Sequence, residues 1–423
     1  MNAAVGILHF AGPPVVGGVE STIFHHARLL VEQGFNVAVI AGRGEQFHPQ
    51  VAFHHVPEIN SRHTDVLGAG KSLAAGQVTA EFEVLRQRLE ERLRPILAEI
   101  EVCIVHNAIT LHKNLPLTAA LRQLSDRGDT RLVAWCHDFA WQDRLYASDL
   151  HPGYPWDLLR QPWPGVRYVV VSAHRRERLA DLLSLPKGEI SVVTPGVDVK
   201  RFLNLAPLSH RLVGALNLLD ADPLMLLPAR VTRRKNIQFA IRVTAALKAH
   251  KPDATLLITG PPGPHNPKNI AYLHSLKELR AQLDVRDRVH FLYEQGQGDQ
   301  PLHVPDDVVA DLYRLADLLL FPSRREGFGI PVLEAGLARL PVFAADIGPV
   351  RESAADLAHL FDQDGDPQAV SEAICHFLAS DRAYMLKRRV LENFTWRAIV
   401  NNKLIPIIEQ PGRGNRPSRP SRE

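Results

Sequence analysis

Short apolar runs alternate with helical stretches along most of the chain, and the alternation starts at once. VGILHF, Val5 to Phe10, reads as a buried strand, and AGPPVVGG follows it as a loop. From about Glu20 the apolar positions take helical spacing, with Ile23, Ala27, Leu30 and Val31 on one face and Gly34 as the stop. VAVIAG, Val37 to Gly42, is the next strand, and EVCIVHN, RLVAWCHD and VRYVVVS continue the series. Alternation of this kind predicts a parallel sheet with helices on both faces, an α/β fold.

A second series begins near Leu224 with PLMLLPAR. A helix from Asn236 to Ala249, the strands ATLLITG, RVHFLYE and DLLLFPS, a helix from about Ile330 and the strand PVFAADI follow. Between the two series, SVVTPGVDVKRFLNLAPLS is rich in turn residues and is the expected linker. The predicted boundaries are 1–205 for the first domain and 206–382 for the second. Residues 383–409 form a last helix, kinked or ended early at Pro406, and 410–423 a disordered tail rich in Pro, Gly and Arg. Two open α/β domains place their ligand sites at the carboxyl ends of the strands. If those ends face each other, the active site is the cleft between them.

Composition narrows the class. The 423 residues are 45% hydrophobic and 22% charged with a net charge of +3, and acidic and basic residues are mixed along the chain. That excludes the clustered basic footprint of a nucleic-acid binder. No basic leader or cleavage site precedes the first strand, and no apolar run approaches the roughly 20 residues that span a bilayer. Cys103, Cys136 and Cys375 are an odd set without a CxxC, as in a reduced cytoplasmic protein.

Three strand-to-helix loops carry the candidate chemistry. In GPPVVGGVE, Gly17 and Gly18 precede a helix, so the backbone can approach an anionic ligand, or simply turn tightly. It is not GxGxxG, so a nicotinamide or flavin site is unsupported. In PARVTRRKNI, Arg230 leaves a strand and Lys235 opens a helix, where a cation is unfavourable without an anion nearby. The pair can bracket a diphosphate; a solvated basic turn is the alternative, and Arg233 and Arg234 are expected to face solvent.

The third loop, SRREGFGIPVLEAG, holds Glu326 and Glu334 eight positions apart. An acid–base pair, a metal pair and ordinary surface charge near a turn are the first readings; the two can also reach different parts of one ligand. The backbone of Phe328, Gly329 and Ile330 can offer N–H groups to an anion, and Glu334 suits the paired hydroxyls of a ribose. Arg324 and Arg325 crowd any metal. DQDGD, Asp362 to Asp366, looks like a cation loop but lacks the distal Glu, and a capping turn is the simpler reading. Of twenty histidines, His137 stands out because it ends a buried strand beside Asp138; His106 holds the same place one strand earlier. His25 and His26 lie within a helix as packing or surface residues.

Together these segments resemble the family 4 retaining glycosyltransferases of the GT-B fold. The resemblance runs over nearly the whole chain. It is strongest in SRREGFGIPVLEAGLARLPVFAADIGPVRE, which is similar to the family's E-x7-E segment, and in the Arg-x4-Lys pair of PARVTRRKNI. TPGVDVKRF and FDQDGDPQAVSEAI are also similar to family segments, which makes the aspartate loop structural. Two departures, Pro195 before Gly-Val-Asp and Gly348-Pro349 in place of Gly-Gly, bear on loop shape.

The resemblance implies two Rossmann-like domains facing across a cleft, the first binding acceptor and the second binding nucleotide sugar, with the last helix returning to the first. It implies transfer of a hexosyl group from a nucleotide diphosphate sugar to a hydroxyl acceptor, with retention and without metal or cofactor. Glu334 would bind ribose, and Glu326 the donor sugar or reacting centre. Arg230 and Lys235 would hold the diphosphate, the backbone at Phe328, Gly329 and Ile330 the sugar and phosphate. Gly18, beside Gly17, would approach the diphosphate from the other domain, and His137 would lie against the sugar.

A small soluble or saccharide acceptor fits best, because EFEVLRQRLEERLRPIL mixes both charges and reads as a solvated helix; peripheral membrane contact stays open. A sugar-nucleotide epimerase of the same fold and a non-catalytic binding subunit are the rival readings.

Overall fold

The computed structural model describes residues 3–128, 130–264, 268–296 and 300–410. The chain divides into two compact units. One comprises the residues to Val197 together with those from Asn393 onward, and the other is Asp198–Glu392. The edge lies inside the expected linker, eight positions before 205/206. The expected tail falls almost wholly on 411–423, outside the described residues.

In the first unit seven parallel strands are ordered β3-β2-β1-β4-β5-β6-β7. They are β1 (Ala4–His9), β2 (Asn36–Ala41), β3 (Val51–His55), β4 (Val102–His106), β5 (Arg131–Cys136), β6 (Arg167–Val170) and β7 (Ile190–Val192). β1, β4 and β5 are buried on both faces, as their unbroken apolar runs require. The helix Gly18–Glu32 buries Ile23, Ala27, Leu29 and Leu30, and Gly34 follows it at φ +84°.

The stretch expected as one helix from 383 to 409 is divided. Arg382–Asn393 closes the second unit, and Trp396–Ile399, a π-turn Val400–Leu404 and Ile405–Glu409 belong to the first. Pro406 lies where the π-turn passes into that last helix. Trp396, Ile399, Val400, Leu404 and Ile408 pack with β1 and with the helix Gly18–Glu32. Trp396 stacks on His25 at 4.8 Å between ring centroids, so His25 and His26 are packing residues.

The helix Ala80–Ala98 differs from the solvated helix that its mixed charges predict. Phe82, Leu85, Leu89, Leu93 and Leu97 are buried along one face. Glu90, also buried, accepts from Arg86 at 2.9 Å, Arg94 at 2.7 Å and Arg127 at 2.7 Å. Three guanidinium groups around one carboxylate let it sit in the core without an unpaired charge.

In the second unit six parallel strands are ordered β10-β9-β8-β11-β12-β13. They are β8 (Leu224–Leu227), β9 (Thr255–Ile258), β10 (Val289–Phe291), β11 (Leu318–Phe321), β12 (Val342–Ala345) and β13 (His359–Phe361). Each unit therefore has the Rossmann order, and strand order reverses between β1 and β4 in the first and between β8 and β11 in the second. Ligands of such sheets bind beyond the carboxyl ends at that reversal. PARVTRRKNI leaves β8 and SRREGFGIPVLEAG leaves β11, so the two charged loops of the second unit emerge side by side.

Candidate functional site

Lys235 and Glu326 meet in the second unit. Lys235 ends a 3-10 turn, Arg233–Lys235, and Asn236 at φ +50° reverses the chain into the helix Ile237–Lys248. Glu326 Oε1 accepts from Lys235 Nζ at 2.5 Å, and both side chains are 9% exposed. The ammonium also lies 5.2 Å from the Phe321 ring centroid. Burial lowers the Lys235 ammonium below its ordinary pKa, and the Glu326 carboxylate opposes that shift. Burial pushes the Glu326 carboxyl up, yet Lys235 and Arg234 together hold it below the usual carboxylate value. The anion that balances Lys235 in the free protein is therefore Glu326.

Arg234 is exposed as expected, and from there it also reaches the same carboxylate. It donates to Glu326 Oε2 at 3.2 Å and to the Arg325 carbonyl at 3.1 Å. Arg233 is exposed as expected, with its guanidinium 5.0 Å from the Tyr272 ring. Arg230 is exposed and makes no ion pair among the described residues. Gly260 lies hard against it: a Cβ there would come within 2.7 Å of the Arg230 Cα. The strand-end loops of β8 and β9 thus fix the Arg230 backbone and leave its cation unpaired.

Glu334 is exposed on the helix Ile330–Leu337 and accepts from the Tyr313 hydroxyl at 2.7 Å. Burial and the neighbouring Glu334 carboxylate push the Tyr313 phenol well above its ordinary pKa, so it remains a donor. Gly329, at φ +94°, makes the left-handed turn into that helix, and a side chain there would press on Ser353 Oγ. The N–H groups of Phe328, Gly329 and Ile330 find no acceptor among the described residues. Glu326 and Glu334 thus have different partners and are not a proton-sharing pair.

Arg324 pairs with Asp364 at 2.5 Å, and Asn236 donates to the Gln363 carbonyl at 3.0 Å. Asp362 accepts from the Asp364 N–H, and Asp366 caps the helix Pro367–Ser380 by accepting from Gln368 N. The aspartate loop is a brace for the site. Among the described residues no group of three or more His, Cys, Asp or Glu is placed to hold a metal ion.

In the first unit, Gly17 is extended at φ 179° and Gly18 is the first residue of its helix. A Cβ added at Gly18 would meet no atom within 4 Å, so that face of the loop is open. His137 follows β5. Its Nε2 lies 3.1 Å from His106 Nδ1, and its backbone N–H donates to Asn107 Oδ1 at 2.8 Å. His9 Nδ1 in turn lies 3.1 Å from the His106 carbonyl. Burial holds His137 and His9 down to about 4 and His26 to about 3, and sinks His106 well below its ordinary value. Asp138 pairs with Arg175 at 3.1 Å. No hydrogen bond or ion pair joins His137 to the Gly17–Gly18 loop among the described residues.

Each unit is thus an open parallel sheet with charged or glycine-bearing loops at its reversal point, where the ligands of such sheets bind. Comparison with known proteins narrows the class. Residues 16–201 match the model described as Glycosyltransferase Family 4, and residues 213–393 match that described as Glycosyl transferases group 1. The chain belongs to these glycosyltransferases.

It is 25% identical over 285 residues to a mannosylglucosylglycerate synthase of Petrotoga mobilis, an alignment covering 60% of this chain and 63% of that protein. It is 32% identical over 242 residues to a D-inositol 3-phosphate glycosyltransferase of Salinispora tropica, covering 53% of this chain and 47% of that one. The chain thus spans less than two thirds of either relative's length. Among solved structures, a glycosyltransferase from Rickettsia africae aligns over 97% of this chain and 98% of its own at 15% identity, with a TM-score of 0.37.

Proposed function

We propose that the protein transfers a hexosyl group from a nucleotide diphosphate sugar to a hydroxyl acceptor, with retention of configuration. The observation that carries this reading is the meeting of the Arg230–Lys235 loop with the Glu326–Glu334 segment at the strand-order reversal of the second unit. Glu334, steadied by Tyr313, accepts hydrogen bonds from the ribose hydroxyls. Arg230 takes the diphosphate directly. Lys235 divides its charge between Glu326 and the diphosphate, and the free N–H groups of Phe328, Gly329 and Ile330 complete the anion site.

In the reaction the bond between the anomeric carbon and the diphosphate oxygen breaks, and the electron pair leaves with the nucleoside diphosphate. Negative charge grows on that oxygen as positive charge grows on the sugar. Arg230, Lys235 and the loop amides are fixed before reaction and stabilise the leaving charge, a scheme in which no metal has a role. The acceptor oxygen bonds to the same face of the anomeric carbon, and its proton passes to the departing phosphate oxygen. Glu326, held ionised by two cations, orients Lys235 and the sugar and is no proton carrier. In the first unit, the open Gly17–Gly18 loop and His137 are the groups offered to a ligand.

The named reactions of the two relatives, a mannosylglucosylglycerate synthase and an inositol phosphate glycosyltransferase, favour a small polar hydroxyl acceptor. No described helix is long and apolar enough to cross a membrane, and the reading carries with it a cytoplasmic location. A thermal-shift screen of nucleotide sugars, followed by an acceptor screen with the best donor, tests it. Stabilisation by one donor and acceptor-dependent release of nucleoside diphosphate are expected. An epimerised donor without any acceptor product would assign an isomerase, and no response to any nucleotide sugar would leave the reading without support.

A further inference from the structure

His137 presents one ring edge to solvent and the other to His106. The described residues leave its Nδ1 without a bond but not buried, whereas Nε2 lies 3.1 Å from His106 Nδ1. His106 itself is 0% exposed, and its Nε2 has no partner among the described residues. The backbone at both ends is fixed. Asn107, in the left-handed region at φ +61°, accepts from His137 N, and His9 Nδ1–H donates to the His106 carbonyl.

Two neutral rings can share one proton across that gap in only two ways. If His137 donates, the second proton of the pair sits on His106 Nε2, a buried N–H with no acceptor. If His106 donates, its Nε2 is a bare lone pair, which the interior tolerates better than an orphaned N–H. We propose that His106 is a positioning residue that donates Nδ1–H to His137 Nε2, locking His137 as the Nδ1–H tautomer.

Free histidine ordinarily prefers its proton on Nε2, so the partner reverses the preference. His137 then shows the substrate a neutral N–H donor suited to a sugar oxygen. Its only basic nitrogen is occupied, so it takes no proton from the acceptor. Burial of both rings, which depresses both pKa values, keeps the pair uncharged at neutral pH. This assignment deepens the glycosyl-transfer reading and rests on it for the identity of the ligand, though the pairing itself does not.

The experiment is a long-range proton–nitrogen NMR correlation on the full chain labelled in histidine, with His137 assigned by loss of its signals in His137→Gln. The wild type should show neutral His137 protonated on Nδ1 at pH 7. In His106→Asn the amide nitrogen replaces Nδ1 as donor, so the tautomer should persist. In His106→Leu it should shift to the Nε2–H form. Transfer kcat/KM should fall about tenfold in His106→Leu and less than about threefold in His106→Asn, the scale of one hydrogen bond.

Affinity for the nucleoside diphosphate alone should not change in either, which separates positioning from general damage. An Nε2–H ring or an imidazolium in the wild type would overturn the proposal, even if His106→Leu fails to fold. So would an unchanged tautomer in His106→Leu. If the tautomers behave as expected while no nucleotide sugar is turned over, the pairing stands and the transfer reading falls.

Discussion

Neutralising Glu326 should destabilise the second unit more than neutralising Lys235, although they form one ion pair. Their side chains are both 9% exposed and their charged atoms 2.5 Å apart, so either exchange strands a charge in a partly dry site. Removing one member of a buried pair ordinarily costs about 3–5 kcal/mol. The two are stranded unequally. In Lys235→Met, Glu326 keeps Arg234 at 3.2 Å, and the methionine stem can retain contact with Phe321. A loss of about 1 kcal/mol is expected, because the surviving pair still compensates the carboxylate.

In Glu326→Gln, Lys235 loses its one carboxylate among the described residues and keeps Arg234 as a like charge nearby. The expected loss is about 3 kcal/mol. For a unit of this size each kcal/mol moves Tm by about 2–4 °C, so the shifts should be about 3 °C and about 9 °C. Differential scanning calorimetry of the two variants, and of the double variant, reads them directly. The double variant should lie closer to Lys235→Met than additivity predicts, since removing both leaves no unpaired ion. Equal shifts, or a larger one in Lys235→Met, would refute the assignment of Arg234 as the second partner.

Three further outcomes follow from the same contacts. Tyr313→Phe removes the 2.7 Å bond to Glu334 and should weaken nucleoside diphosphate binding about three- to tenfold, whereas Glu334→Gln should weaken it more; unchanged calorimetric affinity in Glu334→Gln would remove the ribose role. His9, His26 and His137 are held neutral by burial, so the unfolded chain binds more protons than the folded one once pH falls below their ordinary 6.5. Stability of the first unit is complete above about pH 6.5 and falls as pH drops toward 4, by about 2 kcal/mol per histidine between pH 7 and 5. Denaturant titrations giving the same midpoint at both pH values would contradict that. Trp396→Ala, which empties the stack on His25, should cost the first unit about 3–5 kcal/mol, and a Tm change under about 2 °C would show the final helix to be dispensable.

The sheets were legible wherever a strand is long, apolar and bounded by turn residues, as in VGILHF, RLVAWCHD and DLLLFPS. β7 and β13 were not, being short and only partly buried, and nor was β3, VAFHH, which is partly exposed and carries two histidines. Of the site, the residues that emerge from strand ends could be read, because loop position and charge coincide in Arg230, Lys235, Glu326 and Glu334. What escaped is the company they keep. Arg234 reaches Glu326 across 92 positions, Tyr313 reaches Glu334 across 21 and His106 reaches His137 across 31.

Such pairs are set by strand order, and no local pattern encodes which of three neighbouring cations turns inward. His106 left a trace, since it matches His137 one strand earlier. The helix Ala80–Ala98 misled because Glu90 and its arginines mask an apolar face at Phe82, Leu85, Leu89 and Leu93.

Arg230 is the cation expected to meet the charge of the departing nucleoside diphosphate. Arg230 is exposed and unpaired among the described residues, so Arg230→Ala should fold like the wild type. The direct measurement is nucleoside diphosphate release and glycosylated product, quantified together, for wild type and Arg230→Ala with the best donor and acceptor. Equimolar, acceptor-dependent products are expected from the wild type, with a loss of about 10²–10³-fold in kcat for the variant. Diphosphate release without any glycosylated product, or undiminished turnover in Arg230→Ala, would contradict it.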